Sequence, residues 1–180
     1  MANDFSRGKV WRIVLAQAIP LTLASFVQLL YNVVDRIYIG HLSGSGGMAL
    51  TGVGVTFPIV TLVLAFTMLF ASGGAPLFSM ARGAGDTERA SRLQSSTLTL
   101  LLICAVLITV IGLAFGRPIL YLFGATVESY PYAAAYFRIY ILGTLPVMFA
   151  TGVNYFINAQ GFPKIGMLTT VLGALINLGL

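Results

Sequence analysis

The sequence predicts an all-α, polytopic transmembrane helix bundle, and three observations carry that reading. Charged residues are 8% of the 180 residues and hydrophobic ones 58%, with a mean hydropathy of +0.93. Soluble domains carry roughly 25% charge, so there is too little charge here to coat a water-facing surface. The few charges are also spaced widely enough to leave membrane-length gaps. Finally, Lys and Arg gather before the first and third gaps and thin out after them. The same composition excludes a disordered chain, a collagen-like chain, a coiled coil and a small disulfide scaffold. The lone Cys104 has no partner in the chain and lies in an apolar run.

Crossing a bilayer core takes about 20 helical residues. Arg12 to Asp35 encloses 22 residues without a formal charge, which predicts a first helix near 13–38. Arg36 to Arg82 encloses 45, interrupted by His41 and a Gly/Ser turn over Ser43–Gly47, and predicts a second helix near 50–76. Arg92 to Arg117 encloses 24 and predicts a third helix near 93–115. Arg138 to Lys164 encloses 25 and predicts a fourth near 131–157. After Lys164 an apolar stretch, 164–180, holds only 16 more residues. Those make roughly 24 Å of helix against about 30 Å of hydrocarbon. The expectation is four complete spans plus a truncated fifth, in a fragment of a longer chain.

The connections supply their own signals. Ala81–Ala90 is the most water-loving stretch, a solvated loop in which Asp86 is placed to cap the next helix with Glu88 in its first turn. Glu128-Ser129-Tyr130-Pro131 reads as a helix start with proline near the first position. Pro20, Pro58 and Pro146 fall inside spans, where they bend a helix and free carbonyls. Tyr121, Phe123, Tyr130, Tyr132 and Tyr136 suit an interfacial aromatic belt. Gly112-x-x-x-Gly116 suits a close helix contact. Because Arg7, Lys9 and Arg12 precede the first helix and Arg82, Arg89 and Arg92 lie between the second and third, residues 1–12 are expected to be cytoplasmic, in a cell membrane. The net charge of +5 follows from this asymmetry and does not point to nucleic acid. The first helix is too long, and too rich in Gln17 and Pro20, for a cleaved signal peptide.

The chain carries no enzyme signature. There is no Cys/His cluster, no P-loop and no nucleophile beside a base, and Gly83-Ala84-Gly85 lacks the third glycine and the strand of a dinucleotide fingerprint. No cofactor is called for, and the polar residues have to be read as a path.

Placed at 100° intervals, those polar residues line up. Gln17, Ser25, Gln28, Asn32 and Asp35 fall within about 80° on the first helix. Tyr136, Tyr140, Thr144, Thr151, Asn154 and Asn158 do the same on the fourth. Gly166, Thr170, Gly173 and Asn177 share about 60° on the fifth. Polar groups facing lipid cost several kcal/mol each, so these faces look at one another or at water. A charged aspartate at mid-membrane costs about 2.5–3.5 kcal/mol, a penalty that a proton or a bound sodium ion removes. Asp35 therefore reads either as a cation-loading group inside the bundle or as an interfacial carboxylate paired with Arg36.

The run Tyr31-Asn32-Val33-Val34-Asp35-Arg36-Ile37-Tyr38-Ile39-Gly40-His41-Leu42 resembles the first-helix signature of the multidrug and toxic compound extrusion (MATE) family. The resemblance continues through Gly52-Val53-Gly54-Val55-Thr56-Phe57-Pro58-Ile59, Gly83-Ala84-Gly85-Asp86 and Asn158-Ala159-Gln160-Gly161-Phe162-Pro163. It implies that the chain is most of the N-terminal lobe, 13–180, of a twelve-helix, two-lobe antiporter whose C-terminal lobe is absent from the sequence. It implies export of bulky, often cationic, amphipathic compounds against inward flow of protons or sodium. By the same resemblance Asp35, Asn154 and Asn177 belong to the cation-coupling site, with sodium as a possible occupant at Asp35 and Asn177. Gln28 and Tyr136 match the wider cavity lining, which Asn32 and Thr151 share by lying on the same helix faces. The family commonly has a second aspartate four residues after Asn177, just beyond Leu180, so the coupling site is incomplete as given. Arg36 departs from the family, where a small polar residue is frequent at that place.

The expected partners are the lipid bilayer, a small drug-like molecule and the missing lobe. The expected mechanism is alternating access, in which cation binding at Asp35 changes how the first helix packs on the fourth and fifth. Two rivals stand beside it: a related flippase for lipid-linked saccharides, and a non-transporting truncated membrane scaffold.

Overall fold

The computed structural model describes residues 10–41 and 46–179, without side chains at 46 and 177–179. Most of the expected cytoplasmic segment 1–12 and of the Ser43–Gly47 turn lies outside the described residues. Five helices follow one another: α1 (Val10–Gly40), α2 (Gly46–Gly83), α3 (Thr87–Leu122), α4 (Tyr130–Ala159) and α5 (Pro163–Gly179). The first four are long and apolar enough to cross a membrane, and α5 is a shorter apolar helix. The helices overrun the charge-free gaps. α2 has 38 residues and α3 has 36, about 55 Å each against a core of roughly 30 Å. Leaving the hydrocarbon does not end a helix: α2 runs on to its glycine-containing turn, and α3 kinks at Phe115 (φ −116°, ψ 16°), three residues before Pro118, and then resumes to Leu122.

Those turns are short, so sequential helices lie antiparallel. Gly85 (φ +79°), Gly124 (φ +97°) and Gly161 (φ +87°) each take the left-handed backbone that closes a helix. Asp86 starts α3 by accepting a hydrogen bond from the Arg89 backbone N–H at 2.9 Å, and Glu88 pairs with Arg92 one turn on. Ser129 stands at the N-cap of α4 with proline directly after the start. Its hydroxyl accepts from the Thr126 N–H at 2.9 Å, tying down the loop rather than the helix.

α2, α3 and α4 form a three-helix core, α5 packs on α4 and α1, and α1 rests on α5 and more lightly on α2. Lipid tails are as apolar as leucine, so association relies on close approach rather than on escape from water. Gly52 lies so close to α4 that a Cβ there would stand 2.8 Å from the Ala133 backbone nitrogen. Gly74 meets Thr97 of α3 in the same way, and Gly112 and Gly116 receive Ile141 and Phe137 of α4. Leu101, Ala105, Val63, Ala71 and Met148 fill the middle, and Phe78 meets Phe156 edge-on at 5.3 Å towards one end. Buried threonines spend their hydroxyls on their own helices, as Thr67 does on the Val63 carbonyl at 2.8 Å. Thr109 instead reaches across from α3 to the Ile141 carbonyl of α4 at 3.2 Å.

The α4–α5 contact is polar. Asn154 Nδ2 donates to the Gly166 carbonyl (3.0 Å) and to Thr169 Oγ1 (2.7 Å), and Asn158 Nδ2 donates to Asn154 Oδ1 (2.9 Å). Asn158 Oδ1 is buried without a hydrogen-bond partner, pressed against Gly166. α1 differs from all the others: among its residues only Pro20 and Ala24 are buried.

Two consequences are testable by thermal unfolding of the detergent-solubilised protein. Gly52→Ala forces apart two backbones and should cost about 1–3 kcal/mol, whereas Gly54→Ala, with open space around it, should leave stability unchanged or slightly raised. Asn154→Leu removes the hydrogen bonds that tie α4 to the Gly166 carbonyl and Thr169 of α5 and leaves Asn158 Nδ2 without its acceptor, and should cost about 1–2 kcal/mol.

Candidate functional site

The polar residues of α1 do not vanish into a helix–helix seam. Ser25, Gln28 and Asn32 are exposed and Asp35 is half-buried. Ser25 Oγ donates to the Leu21 carbonyl at 3.0 Å and Asn32 Nδ2 to the Gln28 carbonyl at 2.9 Å, so each returns one donor to its own helix. A groove of about 380 Å³ runs along this face, lined by Ser25, Gln28, Leu29, Asn32, Val33 and Arg36.

Asp35 lies near the C-terminal end of α1, about 37 Å along the axis from Val10. The pairing with Arg36 that the sequence left open is not made: among the described residues the one ion pair within 4 Å joins Arg92 and Glu88. The Arg36 guanidinium instead sits over the Phe57 ring of α2, 5.7 Å from its centroid. Successive residues on a helix point about 100° apart, and this divergence sends the guanidinium to α2 and leaves the carboxylate free of it. Tyr136 on α4 lies within electrostatic range of Asp35, Arg36 and Tyr31. Its ring stacks on that of Tyr140 at 6.2 Å, and Tyr140 in turn is in range of Tyr31. Tyr31, Asp35 and Arg36 of α1 and the tyrosine pair of α4 thus lie in one another's electrostatic neighbourhood.

The direct packing of the first helix on the fourth, expected from the sequence, is not present among the described residues. α1 touches α2 and α5, and both of these touch α4. The physical reason is size: tyrosine and carboxylate side chains hold α1 and α4 apart where glycines draw the other pairs together. Asn154 takes its hydrogen-bond partners from α5 and from Asn158 rather than from α1. It is also 18 residues beyond Tyr136, roughly 27 Å along α4. Thr151 is half-buried nearby. Asn177 falls in the last turns of α5, and its side chain lies outside the described residues.

Sequence reasoning passed over Tyr31, Thr169 and Phe57. Tyr31 stands four residues before Asp35, on one helix face, and was available from spacing. Thr169 falls off the polar arc of α5 and takes part only because Gly166 lets α4 so close. Phe57 gives no signal by itself, since a ring that receives a guanidinium looks like any apolar residue.

These features meet those of known proteins. The MatE family model matches residues 20–180. The chain is 30% identical over 176 residues to the probable multidrug resistance protein YoeA of Bacillus subtilis (strain 168), covering 97% of this chain and 37% of that protein. It is 27% identical over 170 residues to the multidrug export protein MepA of Staphylococcus haemolyticus, covering 93% and 37%. A solved MOP superfamily transporter from Pyrococcus furiosus superposes with a TM-score of 0.88 at 28% identity, over 97% of this chain and 38% of that one. The chain therefore spans somewhat over a third of the length of the relatives it matches. With its ordered motifs, four membrane-length helices and matching fold, this multi-pass membrane chain belongs to the MatE family, that of the multidrug and toxic compound extrusion transporters.

Proposed function

We infer that the chain serves as the N-terminal lobe of an exporter of bulky amphipathic compounds, driven by inward movement of protons or sodium and working by alternating access. The observation that carries this reading is Asp35: a half-buried carboxylate on the polar face of α1 that makes no ion pair among the described residues and lies within electrostatic range of Tyr136 on α4. A negative charge held there repels closure of the space between α1 and α4 onto a less polar wall. A proton on Asp35, or a sodium ion beside it, cancels that charge and lets α1 approach α4. α1 is the helix suited to move, since it buries only Pro20 and Ala24 and carries a proline within its span. Gln28, Asn32, Tyr136 and Thr151 then line the path, while Asn154 braces α4 on α5; Asn177 enters the coupling site in this reading on the family resemblance alone.

In this reading the protein sits in the cell membrane with its N-terminus in the cytoplasm. Arg12, Arg82, Arg89, Arg92 and Lys164 lie at the helix ends of one side, and Arg36 and Arg117 at those of the other. A second lobe completes the substrate cavity, as the length of the relatives suggests. No group of three or more His, Cys, Asp or Glu that would hold a tightly bound metal occurs among the described residues. In this reading the coupling ion is a co-substrate that comes and goes.

The test is export from energised, reconstituted vesicles by the protein as its gene encodes it. Asp35→Asn, which keeps the shape and removes the charge, should reduce gradient-driven export at least about tenfold, a change equivalent to 1.4 kcal/mol, while leaving substrate binding measurable. Undiminished gradient-driven export by this variant would remove Asp35 from the mechanism.

A further inference from the structure

The α1 groove has a charge character of its own. Arg36 is the one charged residue among the six that line it, and Asp35 is not one of them. Asp35 and Arg36 point about 100° apart around α1, and the guanidinium is the one that reaches the Phe57 ring of α2. Two of the polar side chains have already committed a donor: Ser25 to the Leu21 carbonyl and Asn32 to the Gln28 carbonyl. Among the described residues the Gln28 carboxamide and the Arg36 guanidinium make no hydrogen bond; they stand eight residues and so about 12 Å apart. Between them Leu29 and Val33 present apolar surface, 59% and 47% exposed. Arg36 also has a neighbour that can hold it, since its guanidinium carbon lies 5.7 Å from the centroid of the Phe57 ring of α2.

We propose that this groove is a binding site for elongated amphiphiles with an anionic head, that Arg36 receives the head, and that Phe57 positions Arg36 to do so. A sulfonate, carboxylate or phosphate oxygen pair fits the planar fork of a guanidinium, the hydrophobic body lies on Leu29 and Val33, and a second polar group reaches Gln28. The groove volume of about 380 Å³ is at the lower end of the range of small-molecule sites. The proposal deepens the exporter reading by naming a substrate class. It sets this protein apart from the cationic cargo that the family resemblance implies, and it traces that departure to the arginine after the aspartate.

The experiment measures binding without transport, by calorimetric titration of the intact protein in phosphatidylcholine nanodiscs. The probes are decanesulfonate and decyltrimethylammonium, equal in chain length and opposite in charge, each below its micelle concentration. The wild type should bind the sulfonate about tenfold or more tighter than the ammonium, as a charge-assisted hydrogen bond allows. Arg36→Gln should erase the preference, Arg36→Lys should keep part of it, and Phe57→Leu should weaken sulfonate binding while Phe57→Tyr restores it. Equal or tighter binding of the ammonium by the wild type overturns the proposal, as does a preference that survives Arg36→Gln. The wild-type comparison and the lysine variant decide the matter even if the glutamine variant does not fold. A protein that shows the preference yet exports nothing from vesicles overturns the exporter reading and leaves the groove assignment standing; an exporter that prefers the ammonium does the reverse.

Discussion

Everything in this structure follows from the absence of water around the middle of its helices. Without water, backbone groups have to be satisfied inside each span, which makes every span a helix. Hydrophobic burial then loses its grip on how the helices associate, since lipid and leucine are equivalent surroundings. What remains is contact distance. The α2–α3–α4 core meets this constraint with glycines at the crossing points, where Gly52, Gly74, Gly112 and Gly116 let a neighbouring backbone or side chain occupy the space of a missing Cβ. α1 meets it otherwise, with polar side chains that keep its neighbours away.

The division between a tight core and a loosely seated helix organises the functional reading. A site that has to load and release a small cation cannot be sealed in a seam of glycines. Here the carboxylate occurs on the helix with the least buried surface, opposite tyrosines whose hydroxyls tolerate either a polar or an apolar neighbour. Arg36 adjusts this picture. By turning to Phe57 it leaves Asp35 without a permanent partner, and it places a positive charge on the adjoining face of the same helix.

Much of this was legible in the sequence, and the limits are physical. Charge-free gaps located the helices because desolvating a charge is costly, and Asp86 and Pro131 marked helix starts because capping is local. Helix ends were misjudged, since the gaps measure hydrocarbon thickness while α2 and α3 continue beyond it. The polar faces of α1 and α4 were visible from a 100° period, but which helix each face addresses was not. Periodicity gives a direction around an axis and says nothing about what stands there. So α1 was expected on α4 and α5 and is found on α5 and, in place of α4, on α2. The hydrogen bonds by which Asn154 joins α4 to α5 were likewise not visible from its place on a face. The Arg36–Phe57 contact joins residues of two different helices and leaves no periodic trace.

The backbone contact at Gly52 has a mechanical consequence. Because α2 and α4 touch where no side chain can intervene, their spacing there has no adjustable part: sliding or spreading would break the contact, and no rotamer change could absorb the strain. The three-helix unit is thus a stiff frame, and α1 and α5, packed on each other, are the members outside it. In the proposed mechanism, work delivered by a cation at Asp35 would be spent on displacing these outer helices instead of being dissipated through the whole lobe.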